Sequence, residues 1–189
     1  MVGLPDTRQG TDYTCGASCL QAICGYFGIG DPEEEDYASA MRIRSDVGAH
    51  PHNVIFGVEY YGLAYREKWP MDLVEVKRYV ARGIPVMMML QAWATDRRRR
   101  GKNWSYATEW RDGHWVVAIG YDRSGMYFED PSLAAVRGFL AYAELMERWH
   151  DVGPYWIPPH ERHMQRYGIA IWKNKDPRPG YLGRALHID

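Results

Sequence analysis

The sequence has no surplus of charge: across 189 residues, 23 lysines and arginines stand against 24 aspartates and glutamates, a formal net charge of −1. Proteins dedicated to nucleic acid or to an anionic membrane surface usually carry a marked basic excess, so both classes are disfavoured. Long apolar runs are lacking too. No stretch reaches the roughly 18 to 20 apolar residues that a membrane-spanning helix needs, and the opening Met1-Val2-Gly3-Leu4-Pro5-Asp6 lacks the charged-then-apolar layout of a secretory signal. The expectation is a soluble, cytoplasmic protein with no membrane span. Cysteine is scarce. Cys15, Cys19 and Cys24 are odd in number and crowded together, a poor basis for a disulfide framework, so they read as reduced thiols. Internal repeats are missing, and low complexity is confined to the short run Arg97-Arg98-Arg99-Arg100.

What is present suffices for a core: 46% of the residues are hydrophobic and 14% aromatic, and a chain of this length can hide about 70% of the surface it exposes unfolded. One domain over residues 1–189 is expected, helical over about 9–83, sheet-forming over about 84–172, with an irregular proline- and glycine-rich tail at 173–189. Leu20, Ile23, Cys24 and Phe27 recur at helical spacing within 15–28, and Gly28 is a stop. Asp12 or Thr14 could cap that helix, which puts Cys15 in its first turn. Further helices are expected near 32–42, 53–61 and 72–82. From Ile84 the pattern changes: Ile84 to Trp93 reads as a buried strand, 114–121 and 126–130 as a hairpin, 132–149 as a helix and 166–172 as a last strand. Helices first and strands later make the fold class α+β.

Cys15 is the most informative position. A thiol at a helix N-terminus meets a partial positive charge and free N–H groups that favour its thiolate form, the form that acts as a nucleophile. Free cysteine is otherwise a small buried apolar residue, which describes Cys24 and Cys19. A nucleophilic thiol needs a base, and His114 opens a strong strand at the rim of the sheet. Asp130 closes the next strand at the same end and is placed to orient it. A simple loop pairing Tyr121 with Met126, however, sets Asp130 opposite Val117, so twist or a bulge must close the offset. Gln9, in the loop before Cys15, carries an amide NH2 able to stabilise an oxyanion. His50 and His52 sit near a turn and His160 and His163 could share a helical face, but Cys15-x-x-x-Cys19 has no histidine pair at the usual zinc-site distance, so these histidines read as surface or packing residues. Met87-Met88-Met89 alternate faces in a strand and are core, not a metal site. The segment 93–112, with Arg97 to Lys102 followed by Trp104, Tyr106 and Trp110, reads as a solvated loop whose aromatics fold back on the sheet, with an acidic or extended peptide as the next candidate partner and nucleic acid last.

Gln9-Gly10-Thr11-Asp12-Tyr13-Thr14-Cys15-Gly16-Ala17, followed by a helix ending in Tyr26-Phe27-Gly28, resembles the catalytic opening of the C39 and C39-like peptidases. These are bacterial papain-like cysteine proteases, best known for trimming double-glycine leader peptides at bacteriocin exporters. Gly113-His114-Trp115-Val116-Val117 and Asp130-Pro131 resemble the family's histidine and aspartate motifs. The resemblance spans roughly 9–149. It implies a papain-like fold, helical subdomain against antiparallel sheet, with Cys15 as nucleophile, His114 as general base and acid, Asp130 as orienting group and Gln9 as oxyanion donor. A peptide or protein substrate is implied, with no metal or organic cofactor. Leader-cleaving relatives are normally fused to transporter spans and an ATPase, and these 189 residues contain neither, which sets a double-glycine leader aside as the expected substrate. Two alternatives stay open: a peptidase-like module that binds a peptide without cutting it, and a thiol acyltransferase using the same thioester.

Overall fold

An apolar run without alternation needs apolar neighbours on both faces, and Val86 to Leu90 has them. Strand β2 (Val86–Gln91) is buried along its whole length, at the interior of a six-stranded antiparallel sheet. The structure, a computed structural model, describes residues 1–93, 104–154 and 163–173. The other strands of that sheet are β1 (Leu63–Lys68), β3 (Gly113–Tyr121), β4 (Gly125–Glu129), β5 (Gly138–Ala141) and β8 (Gly168–Lys173), in the order β1-β8-β2-β3-β4-β5. A small second sheet pairs β6 (His150–Val152) with β7 (His163–Gln165). Met87, Met88 and Met89 are all core residues of β2. The expected tail beyond Lys173 lies outside the described residues.

The helices are α1 (Cys15–Tyr26), α2 (Glu34–Ala40), α3 (Pro51–Tyr60), α4 (Leu73–Ala81) and α5 (Tyr142–Arg148). Helix α4 starts on a reciprocal cap: Asp72 accepts from Val74 N–H at 2.7 Å while Glu75 accepts from Asp72 N–H at 3.1 Å. Helix α1 is more than a one-faced helix. Gly16, Ala17, Ser18, Cys19 and Ala22 are buried along with its apolar stripe, so it runs through the protein as a central element, and its small residues allow neighbours to approach closely. A Cβ at Gly16 would lie 2.8 Å from Ala49 Cβ and 3.3 Å from Trp115 Cδ1. No described helix is long and apolar enough to cross a membrane.

Two expectations need correction. The stretch 132–149 is not one helix: residues 138–141 form β5, because the outer edge of β4 needs a partner and the Tyr127 and Phe139 rings, paired across the strands, meet at 5.1 Å. The nominally helical first part also contributes β1, an edge strand whose polar residues face water. The hairpin carries the bulge that its spacing demanded. Tyr121 pairs Met126 and Gly120 pairs Tyr127, but Ala118 pairs Phe128 and Val117 pairs Glu129, leaving Ile119 unpaired. Continuing that register sets Asp130 level with Val116. Side chains alternate along a strand, so Val116 shares a face with His114, whereas Val117 does not.

The seating of α1 depends on close packing at Gly57, where a Cβ would lie 2.5 Å from both Leu20 Cδ2 and Met41 Cγ. Gly57→Ala is expected to cost about 1–3 kcal/mol by overpacking, read from urea unfolding. Stability equal to the parent would mean that α1 and α3 have slack.

Candidate active site

Thr14 occupies the N-cap position of α1, yet its side chain does not cap the helix. Its hydroxyl pairs with Thr11 Oγ1 at 3.0 Å, so the first-turn N–H groups of α1 are left uncapped by this residue. Cys15 follows as the first helical residue. It is 8% exposed and lines a cavity of about 310 Å³ that it shares with Gly113, Trp115 and Asp151.

The opposite wall comes from β3. His114, its second residue, is 1% exposed. Its Nε2 meets Asp130 Oδ1 at 2.7 Å. That carboxylate oxygen also accepts from Ser132 N–H at 2.9 Å and the Ser132 hydroxyl at 2.7 Å, a turn that locks Asp130 in place. The Trp93 ring covers the imidazole at 4.7 Å between centroids. With Nε2 committed to Asp130, Nδ1 is the ring atom left to serve the Cys15 thiol; it has no hydrogen-bond partner among the described residues. Burial alone would lower the proton affinity of His114, but the Asp130 hydrogen bond, the Cys15 interaction and the charges of both overcome it and raise the pKa to about 9. Burial likewise opposes ionisation of Asp130, and its bonds from His114 and Ser132 win, holding it below the ordinary carboxylate range. The Asp130 contact thus favours the protonated form of a buried ring that Cys15 also influences.

Gln9 lies in the loop leading to α1. Its backbone N–H donates to Pro131 O at 3.0 Å, next to Asp130, and its side-chain Nε2 donates to Thr11 O at 2.7 Å. Gly10 N–H to Glu34 Oε2 at 2.9 Å fastens the same loop to α2. The other cysteines pack: Cys19 is fully buried with its thiol on Trp115 O at 3.3 Å, and burial pushes Cys24 up to about 12. His50 and His52 stack at 5.9 Å, and burial lowers both. His163 sits on β7 against Trp110 at 4.1 Å, not on a helix shared with His160, which lies outside the described residues. Arg97 to Lys102 also lie outside them. The aromatics after that run do fold back: Tyr106 lies under the Arg148 guanidinium at 3.4 Å, and Trp110 packs between His150 and His163. Among the described residues, no three His, Cys, Asp or Glu side chains are grouped to hold a metal ion.

Two site residues escaped the sequence reading. Asp151 and Gln91 meet at 3.0 Å beside Gly113. Neither carries a motif, and they come together only because β6 folds under the end of β2. A buried amide closing an otherwise apolar strand was the one available signal.

Comparison with known proteins agrees with this architecture. The model described as "Peptidase_C39 like family" matches residues 3–155. No curated protein matches the chain. Among solved structures, one assigned as a C39-like peptidase from Bacillus anthracis superposes with a TM-score of 0.65 at 16% identity, covering 93% of this chain and 98% of that one. The peptidase domain of Streptococcus ComA, a bifunctional ABC transporter involved in quorum sensing, gives 0.62 at 13% identity, covering 92% and 99%. A double-glycine-motif protease from an AMS/PCAT transporter, solved with its leader peptide, gives 0.60 at 16%, covering 91% and 93%. At such identities the likeness is one of fold.

Since the folded pKa of His114, about 9, exceeds its ordinary 6.5, the stability it contributes is fully present below pH 6.5 and lost as pH rises through about 9. In Asp130→Asn, the His114 titration followed by NMR is expected to fall back toward 6.5, and the alkaline loss of stability to shrink with it. An unmoved titration would remove Asp130 as its cause.

Proposed function

Because this chain belongs to the peptidase C39-like family, we propose that it is a cysteine peptidase that hydrolyses a peptide amide bond, with Cys15, His114 and Asp130 as its triad and Gln9 at the oxyanion hole. The observation that carries this reading is that Asp130 is bonded to one nitrogen of a buried imidazole whose other nitrogen is unpartnered among the described residues, while Cys15, at the start of a helix, is near enough to influence that ring.

In the first step the Cys15 thiolate attacks the scissile carbonyl carbon while His114 holds the proton. The carbonyl oxygen becomes an oxyanion. Gln9 Nε2 spends one N–H on Thr11 O, and its second N–H, together with the uncapped N–H groups opening α1, supports a role in holding that charge. Collapse of the tetrahedral intermediate breaks the C–N bond, and His114 passes its proton to the leaving amine, leaving a thioester on Cys15. His114, now neutral, takes a proton from water. The hydroxide attacks the thioester, and the thiolate leaves with the imidazolium restored. Throughout, Asp130 keeps the ring oriented and balances its charge. The leader peptide bound to the AMS/PCAT protease supports a peptide as the occupant of this cleft.

Mass spectrometry of an unbiased peptide library should show cleavage by the parent and, in Cys15→Ala, a loss on the order of 10³-fold or more. Iodoacetamide should label Cys15 in the folded protein while sparing the fully buried Cys19 and Cys24, and His114→Ala should slow that labelling. Equal cleavage by parent and Cys15→Ala would end the proposal, and products bearing an added amine in place of water would reassign the enzyme as an acyltransferase.

A further inference from the structure

The cavity beside Cys15 is lined by six ionisable side chains that do not belong to the proposed triad: Asp12, Tyr13, Asp46, His50, Arg111 and Asp151. Two of them have an opposite charge close by. Asp46 takes a two-pronged ion pair from Arg44, at 3.1 and 2.8 Å. Arg111, at the exposed rim, donates its backbone N–H to the Glu109 carboxylate at 3.0 Å, and the guanidinium charge helps hold that carboxylate below its ordinary range. His50 is held toward its neutral form by burial and by His52. The charge that remains is negative: Asp12 and Asp151, neither of which forms an ion pair with a lysine or arginine among the described residues.

Asp151 is the deeper of the two, and its surroundings fix it. Its Oδ1 accepts from Gln91 Nε2 at 3.0 Å and from Val152 N–H at 2.8 Å, both neutral donors. Gln91 is fully buried, and its amide has no freedom to turn over. Its oxygen accepts from Asp112 N–H at 3.0 Å, and its nitrogen also donates to His150 O at 3.1 Å. The Asp151 carboxyl lies over the backbone of Gly113, where a Cβ would be 2.2 Å from Oδ2; glycine at that position makes room for it. Oδ2 accepts no hydrogen bond among the described residues, and Asp151 lines the same cavity as Cys15. Met89 and Trp115 line the same cavity, offering apolar surface of the kind that the stem of a long cationic side chain covers while its charged end reaches an acid.

We propose that Asp151 is a specificity-determining residue of this cleft, selecting peptides with a lysine or arginine side chain within a residue or two of the bond to be cut. The inference rests on the peptidase reading above and names its substrate class. A carboxyl lacking a cation in a half-enclosed site is costly to ionise, and burial indeed pushes Asp151 up to about 7, against the hydrogen bonds of Val152 and Gln91 and the charge of His114. An incoming ammonium or guanidinium supplies the missing counter-charge through a charge-assisted hydrogen bond.

The test reads recognition separately from chemistry. Acetylated and amidated hexapeptide mixtures, each with one position fixed as lysine, norleucine or glutamate, are competed for the full-length Cys15→Ala protein by affinity selection and mass spectrometry, and digested in parallel by the parent. Lysine should be favoured over norleucine at one position on the order of 10-fold or more, in binding and in cleavage alike. Adding Asp151→Asn, whose folding is verified by its melting curve, should bring the ratio to about one, and Asp151→Glu should restore a preference for lysine. A lysine preference that survives Asp151→Asn, or no such preference in Cys15→Ala, overturns this inference. Selective binding by Cys15→Ala without cleavage by the parent sinks the peptidase reading and leaves the cation site standing.

Discussion

One residue out of step in β3 decides which face of the sheet Asp130 presents to His114. With Ile119 excluded from the ladder, Val117 faces Glu129, and the next residue along falls on the imidazole's side. Remove the bulge and the pleat turns Asp130 away, because successive side chains point to opposite faces. The bulge has its own support. Val2 N–H donates to the freed Ile119 carbonyl at 2.6 Å, so the polar group that the bulge takes out of the ladder is satisfied. The segment that supplies this bond goes on to stitch the site together. Thr7 N–H reaches Glu129 at 2.9 Å, the Thr7 hydroxyl reaches Ser18 O of α1 at 2.9 Å, and Gln9 N–H reaches Pro131 O at 3.0 Å. A short strap thus touches the bulge, the end of β4, the helix of Cys15 and the turn of Asp130.

The distance between sulfur and imidazole is governed by packing next door. Trp115 follows His114 in β3 and is gripped from two sides. Its indole N–H donates to Ala49 O at 2.7 Å, and its backbone carbonyl accepts the Cys19 thiol at 3.3 Å. Gly16 lets the indole edge come up against α1. A larger residue there would push β3 from the helix and carry His114 away from Cys15. Cys19, unremarkable as a thiol, therefore serves the geometry: its burial keeps it protonated, and a protonated thiol can donate to the strand.

Much of this was legible in the chain itself. The unbroken apolar run at 86–90 required a strand covered on both faces, and the register arithmetic of the hairpin required either twist or a bulge, of which the bulge is present. Cys15, His114 and Asp130 stood out because each sits where an element starts or ends, and element ends are what patterning marks. The parts that stayed hidden depend on distant partners. Strand β5 was read as helix because local spacing in 132–149 is helical, and only the open edge of β4 makes Gly138–Ala141 extended. The side-chain cap read for Asp12 or Thr14 is absent: Thr14 holds the N-cap position, but its hydroxyl pairs with Thr11 and caps nothing. Asp151 gave no signal, since its surroundings are assembled from Gln91, Gly113 and Val152, residues far apart or featureless in the chain.

Asp130 and Asp151 show why residue type alone could not have sorted the carboxylates around His114. Both are removed from bulk water, and burial drives both toward the neutral acid. Asp130 then receives an imidazolium and two donors from Ser132 and is held ionised; Asp151 receives only an amide and a backbone N–H, and burial prevails. The difference is the presence of a fixed cation. A carboxylate with its counter-ion built in is satisfied within the fold, has no charge to offer a ligand, and is suited to holding a ring in place. One that lacks it, pinned at Oδ1 and beside Gly113 at Oδ2, ionises readily only where a positive charge is brought to it. The two aspartates thus differ by partner, one bonded to the His114 ring and the other lining the cavity beside Cys15.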